Sequence, residues 1–318
     1  MEQATNQSAA PAIDQSPETQ PAKGREEAPV LEARELLRRY GLYAKKSWGQ
    51  NFLIDERAYS AIVAACGLAA GELAVEVGAG LGTLTSRLLQ TGASVVAIER
   101  ERDMCEVLRR ELGGHPRFAM REENALHTDY AALGGGRPVV IVGNLPYHIT
   151  APLLFTFLAA RAAVRRIVIM VQREVAARIL APPDTEDYSA LSAQVQLLAA
   201  VRRVCHVGRS GFLPAPRVDS TVVRLDPFPD SGTAVPVLDA ACYSQVVRAA
   251  FGQRRKTLRN ALASLPETMD DERVASAIAA TGIELSRRGE TLTVQEFARL
   301  ADAITSARNT AEMVKGKD

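Results

Sequence analysis

The segment LAVEVGAGLGT, residues 73–83, decides the fold class of this 318-residue chain. Its first three residues are apolar and predict a buried β-strand, and the glycines at 78, 80 and 82 predict a tight turn that opens a helix. Leu84, Leu88 and Leu89 fall on one face of that helix. Because glycine lets the backbone approach a ligand without a Cβ clash, the turn is a candidate binding loop at the carboxyl end of a strand.

The spacing of the three glycines indicates the kind of cofactor. Dinucleotide-binding loops read G-x-G-x-x-G, whereas here the third glycine is at 82 and Thr83 takes the sixth position. A tighter loop preceded by Glu76 suits a cofactor that has no pyrophosphate to hold. The next strand-like run ends at Glu99, where a carboxylate can accept both hydroxyls of a ribose.

A third strand-like run, 138–142, leads through Gly143 into the corner Asn144-Leu145-Pro146-Tyr147. The Asn144 amide oxygen and the Pro146 carbonyl can together accept both hydrogens of one exocyclic amine, while Tyr147 stacks on the base. This arrangement favours chemistry on the amino group of an adenine taken out of its stack. A proline turn with a surface tyrosine is the simpler interpretation of the four residues alone. Their place at a strand end, beside the glycine loop and Glu99, favours the binding interpretation.

The order of strands and helices predicts an α/β fold with a doubly wound parallel sheet. Strand-like runs recur with helical stretches between them, at 73–78, 94–99, 117–121, 138–143 and 166–171. Two further runs, 201–207 and 220–225, have no helix between them and predict an antiparallel pair at one edge of the sheet. From Pro236 onward the pattern is helical, which predicts a small all-α C-terminal domain.

Three regions of the chain follow from this pattern. Residues 1–28 contain almost no large apolar side chains, so we expect a disordered tail. Residues 29–228 form the predicted α/β domain. Residues 236–308 form the predicted helical domain, which a proline-rich and glycine-containing linker separates from the first.

Composition and charge bound the function further. The net charge is only +1, but residues 201–260 hold ten basic and four acidic residues, whereas residues 1–30 hold two basic and five acidic. A near-neutral total therefore hides a basic region, as nucleic-acid binding would require.

The four cysteines form no C-x-x-C pair and the four histidines are far apart, so we expect no metal site. No apolar run reaches the length of a membrane span, and we expect a cytoplasmic protein without a targeting segment.

Seven short blocks carry a family resemblance, and they occur in the family's order. They are KKSWGQNFL (45–53), the glycine loop with Glu99, NAL (124–126), NLPY (144–147), MVQREVA (170–176), FLPAPRVDS (212–220) and FGQRRKTL (251–258). From about Tyr43 to Leu300 the chain resembles the ribosomal RNA small-subunit adenine dimethyltransferase family.

This resemblance implies a Rossmann-like class I methyltransferase fold that uses S-adenosyl-L-methionine. The implied reaction transfers methyl groups to N6 of two adjacent adenines in a loop near the 3′ end of small-subunit (16S) ribosomal RNA. The implied substrate is that RNA within a pre-30S particle, with a role in small-subunit biogenesis. We expect a monomer that needs neither a metal nor a membrane.

The resemblance also implies roles for individual residues. The catalytic set is Asn144, Pro146, Tyr147 and Phe212, and the cofactor-binding set is Asn51, Leu53, Gly78, Gly80, Glu99, Asn124 and Asn144. Phe212 would cover the second face of the base; without the resemblance, a core ring beside Pro214 and Pro216 is the better interpretation. Glu76 is expected to bond the amides of the glycine turn or the amine of the cofactor.

Three positions depart from the family's pattern. Asn124 stands where the family has Asp, the residue that accepts the adenine amino group of the cofactor. An amide oxygen can accept the same bond but is a neutral and weaker acceptor, so we expect somewhat lower cofactor affinity. His148 and Trp48 replace a frequent Asn and Leu, and we expect them to alter only the rim of the substrate pocket.

A basic cluster near the C terminus is the predicted RNA-binding surface. Arg248, Arg255, Lys256 and Arg259 are expected on one arc of a single helix, next to an apolar face of Phe251, Leu258 and Leu262. Such a charge run is usually a solvated face, but four cations without acidic partners beside an RNA-modifying domain favour phosphate contact. Lys45 and Lys46 are expected to extend this surface.

Three other functions compete with this interpretation. The nearest is a macrolide-resistance-type enzyme that methylates N6 of one adenine in large-subunit (23S) ribosomal RNA, although the long C-terminal match favours the small-subunit family. A non-catalytic ribosome-assembly or RNA-binding factor is disfavoured by the intact Asn144–Tyr147 corner. A nicotinamide oxidoreductase is disfavoured by the loop spacing and by the lack of a histidine suited to hydride transfer.

Overall fold

The structure is a computed structural model that describes residues 28–43, 50–229, 232–252, 255–266 and 268–315. Lys45, Lys46 and Trp48, and the predicted tail up to residue 27, lie outside the described residues. The strands are β1 Phe52–Leu53, β2 Leu73–Val77, β3 Ser94–Glu99, β4 Phe118–Glu122, β5 Val139–Asn144, β6 Val164–Gln172, β7 Ala199–Val207, β8 Phe212–Leu213 and β9 Ser220–Pro227. The helices are α1 Ala33–Tyr40, α2 Glu56–Cys66, α3 Thr83–Leu89, α4 Arg102–Leu112, α5 Tyr130–Leu133, α6 Thr150–Ala159, α7 Arg173–Leu180, α8 Ala190–Leu198, α9 Ala240–Gly252, α10 Leu258–Leu262, α11 Glu272–Ala280 and α12 Val294–Lys315.

Seven strands form one sheet in the order β4-β3-β2-β5-β6-β9-β7. The first five of these are parallel to one another, and β9 is antiparallel to both of its neighbours, β6 and β7. The antiparallel pair predicted at one edge is therefore confirmed. The two short strands β1 and β8 pair with each other outside the main sheet. This is the predicted doubly wound α/β fold, followed by helices alone in the described residues beyond β9.

Helices cover both faces of the sheet, which explains the apolar runs in its central strands. Successive residues of a strand point to opposite faces. Ala74 of β2 accordingly packs in a core with α2, α3 and α4, whereas Val75 packs in a second core with α5, α6 and α7. A strand that is buried on both faces reads as a nearly continuous apolar run, and residues 73–75 and 139–142 show this pattern.

The order of the strands reverses direction between β2 and β5. From β2 the chain moves outward on one side to β3 and β4, and then returns to place β5 on the other side of β2. In open α/β sheets, ligands bind at the carboxyl ends of the strands that flank such a reversal. The glycine loop after β2 and the Asn144 corner at the end of β5 are therefore neighbours at the position where a site is expected.

The helical C-terminal region shares its core with the α/β part. Tyr188, Ala193 and Leu197 precede β7, yet they are buried in the same apolar cluster as α9, α11 and α12. The Tyr243 hydroxyl of α9 also donates to the Ala193 carbonyl at 3.0 Å.

At the other end of the chain Ala28, assigned to the tail from sequence, is buried and accepts a hydrogen bond from Gln90. Folded structure thus begins no later than Ala28.

Two classes of feature are absent from the described part of the chain. No described helix has the length and apolar character needed to cross a membrane. No group of three or more His, Cys, Asp or Glu side chains among the described residues could hold a metal ion.

The shared core predicts that the two regions unfold together. Leu197→Ala should lower the free energy of unfolding by about 2–5 kcal/mol, because it leaves a cavity between α8 and the C-terminal helices. Calorimetry should show one transition that moves to lower temperature as a whole. Two separate transitions, of which only one responds to the substitution, would contradict this prediction and support two independent domains.

Candidate active site

One deep cleft opens at the carboxyl edge of the sheet, with an empty volume of about 1250 Å³ including its mouth. It is lined by the ends of β2, β3 and β5, by the loop after β4 and by β1. All seven residues predicted to bind the cofactor line this cleft: Asn51, Leu53, Gly78, Gly80, Glu99, Asn124 and Asn144. Pro146 and Tyr147 of the predicted catalytic set line it as well. The structure therefore brings together residues that are up to 96 positions apart in sequence, Asn51 and Tyr147 being the extremes.

The glycine loop keeps one wall of the cleft open. Gly78 and Gly80 have φ angles of 71° and 54°, in the left-handed region that side chains rarely adopt. A Cβ on Gly78 would stand 3.7 Å from the Asn144 carbonyl oxygen, and a Cβ on Gly80 would stand 3.4 Å from the Phe52 ring. Side chains at these two positions would occupy space that the loop leaves to a ligand.

Glu99 holds the glycine loop as well as facing the cleft. Its Oε2 accepts the Gly80 N–H at 2.9 Å, and its Oε1 accepts the N–H groups of Arg100 and Glu101 at 2.8 and 2.9 Å. A carboxylate offers about four acceptor positions. Three are used here, so Glu99 has room for about one ribose hydroxyl rather than the two predicted from sequence.

Glu76 is a buried carboxyl group in the wall of the cleft, with 2% of its surface exposed. Thr85 Oγ1 donates a hydrogen bond to its Oε2, and no described amide of the glycine turn donates to Glu76, in contrast to one of the two sequence interpretations. Burial raises the pKa of Glu76 to about 8; the Thr85 bond opposes this rise and the charge of Glu99 adds to it. A cationic ligand group beside Glu76 would favour the ionised form of this carboxyl group. The resulting carboxylate would in turn hold the cation by ion pairing.

Asn124 lies in the loop that follows β4. Its Oδ1 accepts the Leu126 N–H at 3.1 Å, which makes a tight side-chain turn. An amide oxygen has a second lone pair. Asn124 can therefore still accept one bond from an adenine amino group, which is the role that the resemblance implies for this position.

The Asn144 side chain is oriented by the main chain of Asn51. Asn144 Nδ2 donates to the Asn51 carbonyl oxygen at 3.0 Å. A carbonyl can only accept, so this bond identifies Nδ2 as the group that faces Asn51 and leaves the amide oxygen available to accept from a ligand. The orientation is the one that the sequence prediction needs.

The second predicted acceptor, the Pro146 carbonyl, is already occupied. It accepts the Ile149 N–H at 3.2 Å and the Thr150 hydroxyl at 3.3 Å, because Tyr147–Ile149 form a 3₁₀ turn that leads into α6. Leu145 also lines the cleft, and no described group donates to its carbonyl. The geometry thus disfavours the role assigned to the Pro146 carbonyl and favours the Leu145 carbonyl, which sequence reasoning missed because sequence does not show which carbonyl the turn consumes.

Tyr147 is fixed at its hydroxyl, which lies 2.8 Å from Ser220 Oγ at the start of β9. Burial raises the pKa of this phenol, so it stays neutral. Phe212, by contrast, is 3% exposed in the core and is not among the residues that line the cleft. Its predicted stacking role stays a prediction, and it requires the ring to leave the position described here.

The predicted basic surface does not lie on one helix. Arg248 is on α9, which ends at Gly252, Arg259 is on the separate helix α10, and Arg255 and Lys256 lie between them. Thr257 begins the second helix, and the N–H groups of Leu258 and Arg259 are held by the carbonyls of Arg287 and Leu285. The single-helix prediction was wrong because the apolar positions 251, 258 and 262 belong to two helices. All four cations are nevertheless exposed and make no ion pair with a described carboxylate.

Comparison with known proteins agrees with the fold. A family model described as ribosomal RNA adenine dimethylase matches residues 41–306. The ribosomal RNA small subunit methyltransferase A of Anaeromyxobacter sp. (strain K) is 47% identical over 277 residues, which cover 84% of this chain and 95% of that protein. The protein of the same name from Myxococcus xanthus is 43% identical over 85% of this chain and 94% of its own length.

Solved structures show the same architecture. A dimethyladenosine transferase from Plasmodium falciparum has a TM-score of 0.70 and 26% identity, with 81% of this chain and 98% of that chain covered. The 23S rRNA methyltransferase ErmE has a TM-score of 0.61 at 24% identity, over 80% of this chain and 100% of that one, and this likeness concerns the fold alone. The match to the family model, together with the identity to full-length relatives, establishes that this chain belongs to the ribosomal RNA adenine dimethylase family of methyltransferases.

Proposed function

We propose that this protein transfers methyl groups from S-adenosyl-L-methionine to N6 of two adjacent adenines in a loop near the 3′ end of small-subunit (16S) ribosomal RNA. The products are N6,N6-dimethyladenosines, and the substrate is the RNA within a pre-30S particle in the cytoplasm, on which the protein acts as a monomer. The observation that carries the proposal is the orientation of Asn144. Its amide oxygen is left available to accept a hydrogen bond in the cleft that the glycine loop and the ends of β2, β3 and β5 line.

The residues present fit S-adenosylmethionine. Gly78 and Gly80 leave a cradle that a Cβ would fill, and Glu99 retains an acceptor for a ribose hydroxyl. Glu76 offers a buried carboxyl group to an ammonium group, and Asn124 retains an acceptor for an adenine amine. When bound, this cofactor would supply a methyl group on a positively charged sulfur, an activated donor that needs no metal.

Attack on that methyl group requires a nitrogen lone pair that is normally delocalised into the adenine ring. The Asn144 oxygen and the Leu145 carbonyl can accept the two amino hydrogens, which draws the nitrogen toward a tetrahedral geometry and localises its lone pair. Tyr147, tethered to Ser220, is placed to stack on a base that has left its helix. Catalysis by this chain is then mainly positioning, and the proton that the target nitrogen loses on methylation goes to solvent or to a cleft carboxylate.

The relatives support the choice of RNA. The relatives from Anaeromyxobacter and Myxococcus, which match over most of their length, carry the name ribosomal RNA small subunit methyltransferase A. The likeness to the large-subunit enzyme is at a level that shows fold only. The exposed cations Arg248, Arg255, Lys256 and Arg259 are the described groups that we assign to the RNA backbone, and Lys45 and Lys46 are assigned to it from sequence.

The reaction is tested with purified ribosomal subunits from a strain that lacks the modification. Labelled methyl groups should enter small-subunit RNA, and mass spectrometry should find dimethyladenosine at two adjacent positions. Incorporation only into large-subunit RNA would favour the macrolide-resistance type. Binding of small subunits without any methyl transfer would favour the non-catalytic assembly factor.

Asn144→Ala should reduce the rate of methyl transfer by about 10² or more, the loss typical when one positioned hydrogen-bonding group is removed from an active site. Cofactor affinity, measured by calorimetry, should change by less than about tenfold, because the main bond of the amide oxygen is to the target amine. Near-normal turnover by the folded variant would contradict the role given to this amide.

Binding of S-adenosylmethionine should be linked to a proton through Glu76. With a pKa of about 8, Glu76 is mostly protonated at pH 6 to 7.5 and must ionise to pair with the cofactor's ammonium group. Affinity should therefore rise by up to about tenfold per pH unit over this range, with release of up to about one proton. Calorimetry in buffers of different ionisation enthalpy measures that proton. Glu76→Gln should abolish the pH dependence, and wild-type binding without proton release would show that the ammonium group lies elsewhere.

Changing Arg255 and Lys256 together to Ala should weaken RNA binding and flatten its dependence on salt. If each contacts a phosphate, the slope of log affinity against log salt should fall by about one unit per lost contact. Cofactor affinity and the rate at saturating RNA should change little, because these side chains are absent from the cleft lining. An unchanged slope in the folded variant would remove these two cations from the RNA-binding surface.

A further inference from the structure

Arg87 of α3 is a buried arginine that the catalytic scheme leaves unexplained. Its side chain is 8% exposed, and Arg87 is not among the residues that line the cleft. Nη1 donates to two main-chain carbonyls, of Leu31 at 3.0 Å and of Thr83 at 2.8 Å. Arg87 therefore joins the first described segment of the chain to the beginning of the helix that follows the glycine loop.

The charge of Arg87 is balanced by two carboxylates from different parts of the chain. Nη2 pairs with Glu32 at 2.9 Å and also with Glu56 at the start of α2, and Nε donates to the second oxygen of Glu56 at 3.2 Å. The planar guanidinium thus satisfies acceptors in three directions. Lysine, with a single ammonium group, cannot reproduce this geometry.

The guanidinium also lies against Tyr59, with its Cζ 4.1 Å from the ring centroid. This is a cation–π contact, and it is shielded from water because Tyr59 is 2% exposed. The Tyr59 hydroxyl is 2.6 Å from the Leu53 carbonyl oxygen and 2.7 Å from Thr83 Oγ1. Leu53, Tyr59 and Thr83 all line the cleft. The Tyr59 ring therefore connects Arg87 to residues on the wall of the proposed cofactor site.

The N-terminal segment 28–32 is docked along the same helix. The Leu31 N–H donates to Ser86 Oγ at 3.3 Å, while its carbonyl accepts from Arg87. Gln90 Nε2 donates to the Ala28 carbonyl at 3.4 Å, and the side chains of Ala28 and Leu31 are buried. The segment is thus held by Ser86 and Arg87 of α3 and by Gln90, the residue that follows its last turn.

We propose that Arg87 and Tyr59 are positioning residues for the cofactor site, through which docking of segment 28–32 strengthens the binding of S-adenosylmethionine. Tyr59 holds the Leu53 carbonyl, and with it β1, against the first turn of α3. Arg87 fixes the Tyr59 ring and is itself held by Leu31 and Glu32. This inference rests on the proposed function for the identity of the ligand.

Thermodynamic linkage makes the effect reciprocal. If docking of segment 28–32 raises cofactor affinity, bound cofactor must stabilise the docked segment by the same factor. The Leu31 amide, which donates to Ser86, then reports whether the segment is docked. Its hydrogen exchange should slow when S-adenosylmethionine is added to the full chain.

Tyr59→Phe tests the link to the cleft with the smallest change. It removes only the hydroxyl, and the loss of its hydrogen bonds should raise the Kd of S-adenosylmethionine about fivefold. The KM for RNA and kcat at saturation of both substrates should change less than twofold. Tyr243→Phe is the matched control, because it removes a buried hydroxyl that donates to the Ala193 carbonyl in the helical region, and it should leave the Kd unchanged.

Arg87→Met tests the link to the N-terminal segment, with Arg166→Met as the control. Arg166 is a comparably buried arginine that bonds Asp226 and the Cys66 carbonyl at the opposite end of the sheet. Arg87→Met should raise the Kd of S-adenosylmethionine by about fivefold or more and should abolish the protection of the Leu31 amide by the cofactor. Arg166→Met should do neither, even where it lowers the melting temperature.

The outcomes separate this inference from the proposed function. If the unmodified chain does not bind S-adenosylmethionine, the proposed function fails. If it binds, but folded Tyr59→Phe and Arg87→Met retain its Kd and the Leu31 amide does not respond to the cofactor, the positioning role is overturned. Equal effects of the matched controls would also overturn it, because the loss would then reflect general stability.

Discussion

The hydrogen bond from Asn144 Nδ2 to the Asn51 carbonyl is the interaction on which the active site depends. It joins the end of the central strand β5 to the segment that precedes β1, and it decides which end of the amide meets a substrate. Without it the amide could turn by 180° and present a donor where an acceptor is required. The strand order adds the second wall of the site, because the chain reverses direction between β2 and β5 and so brings the glycine loop beside Asn144.

The electrostatics of the cleft also separate the possible cofactors. Glu76, Glu99 and Glu101 all line it, and one of them is buried deeply enough for its pKa to be raised to about 8. A cluster of carboxyl groups in a low-dielectric wall favours a cationic ligand and opposes a polyanionic one. S-adenosylmethionine carries a sulfonium and an ammonium group, whereas NAD carries a pyrophosphate. The exposed cations of α9, of α10 and of the stretch between them are not among the residues that line this cleft. If they contact the RNA backbone as we propose, attraction for RNA and attraction for the cofactor act at separate places.

Much of this arrangement could be predicted from the sequence, because apolar runs buried on both faces are distinctive and glycine spacing has a direct steric meaning. The strands, their parallel order and the antiparallel edge follow from such patterns, and each predicted cofactor residue lies in the cleft. The differences concern hydrogen bonds that form only once the chain has folded. The Pro146 carbonyl accepts bonds within a turn, and the Glu99 carboxylate accepts main-chain N–H groups. A continuous apolar pattern over 248–262 concealed a break between two helices. The sequence did not indicate the roles of Tyr59 and Arg87. An arginine on an amphipathic helix is usually solvated, and the burial of Arg87 becomes evident only from its partners at residues 31, 32 and 56.

The proposed function makes this protein the source of two adjacent dimethyladenosines in small-subunit ribosomal RNA. Mass spectrometry of ribosomal RNA from cells that lack the protein tests this most directly. The account predicts that both modified adenines are missing from small-subunit RNA and that large-subunit RNA is unchanged. The wild-type chain should restore both modifications, whereas Asn144→Ala at equal abundance should restore neither. Small-subunit RNA that keeps both dimethyladenosines in the absence of the protein would contradict the account.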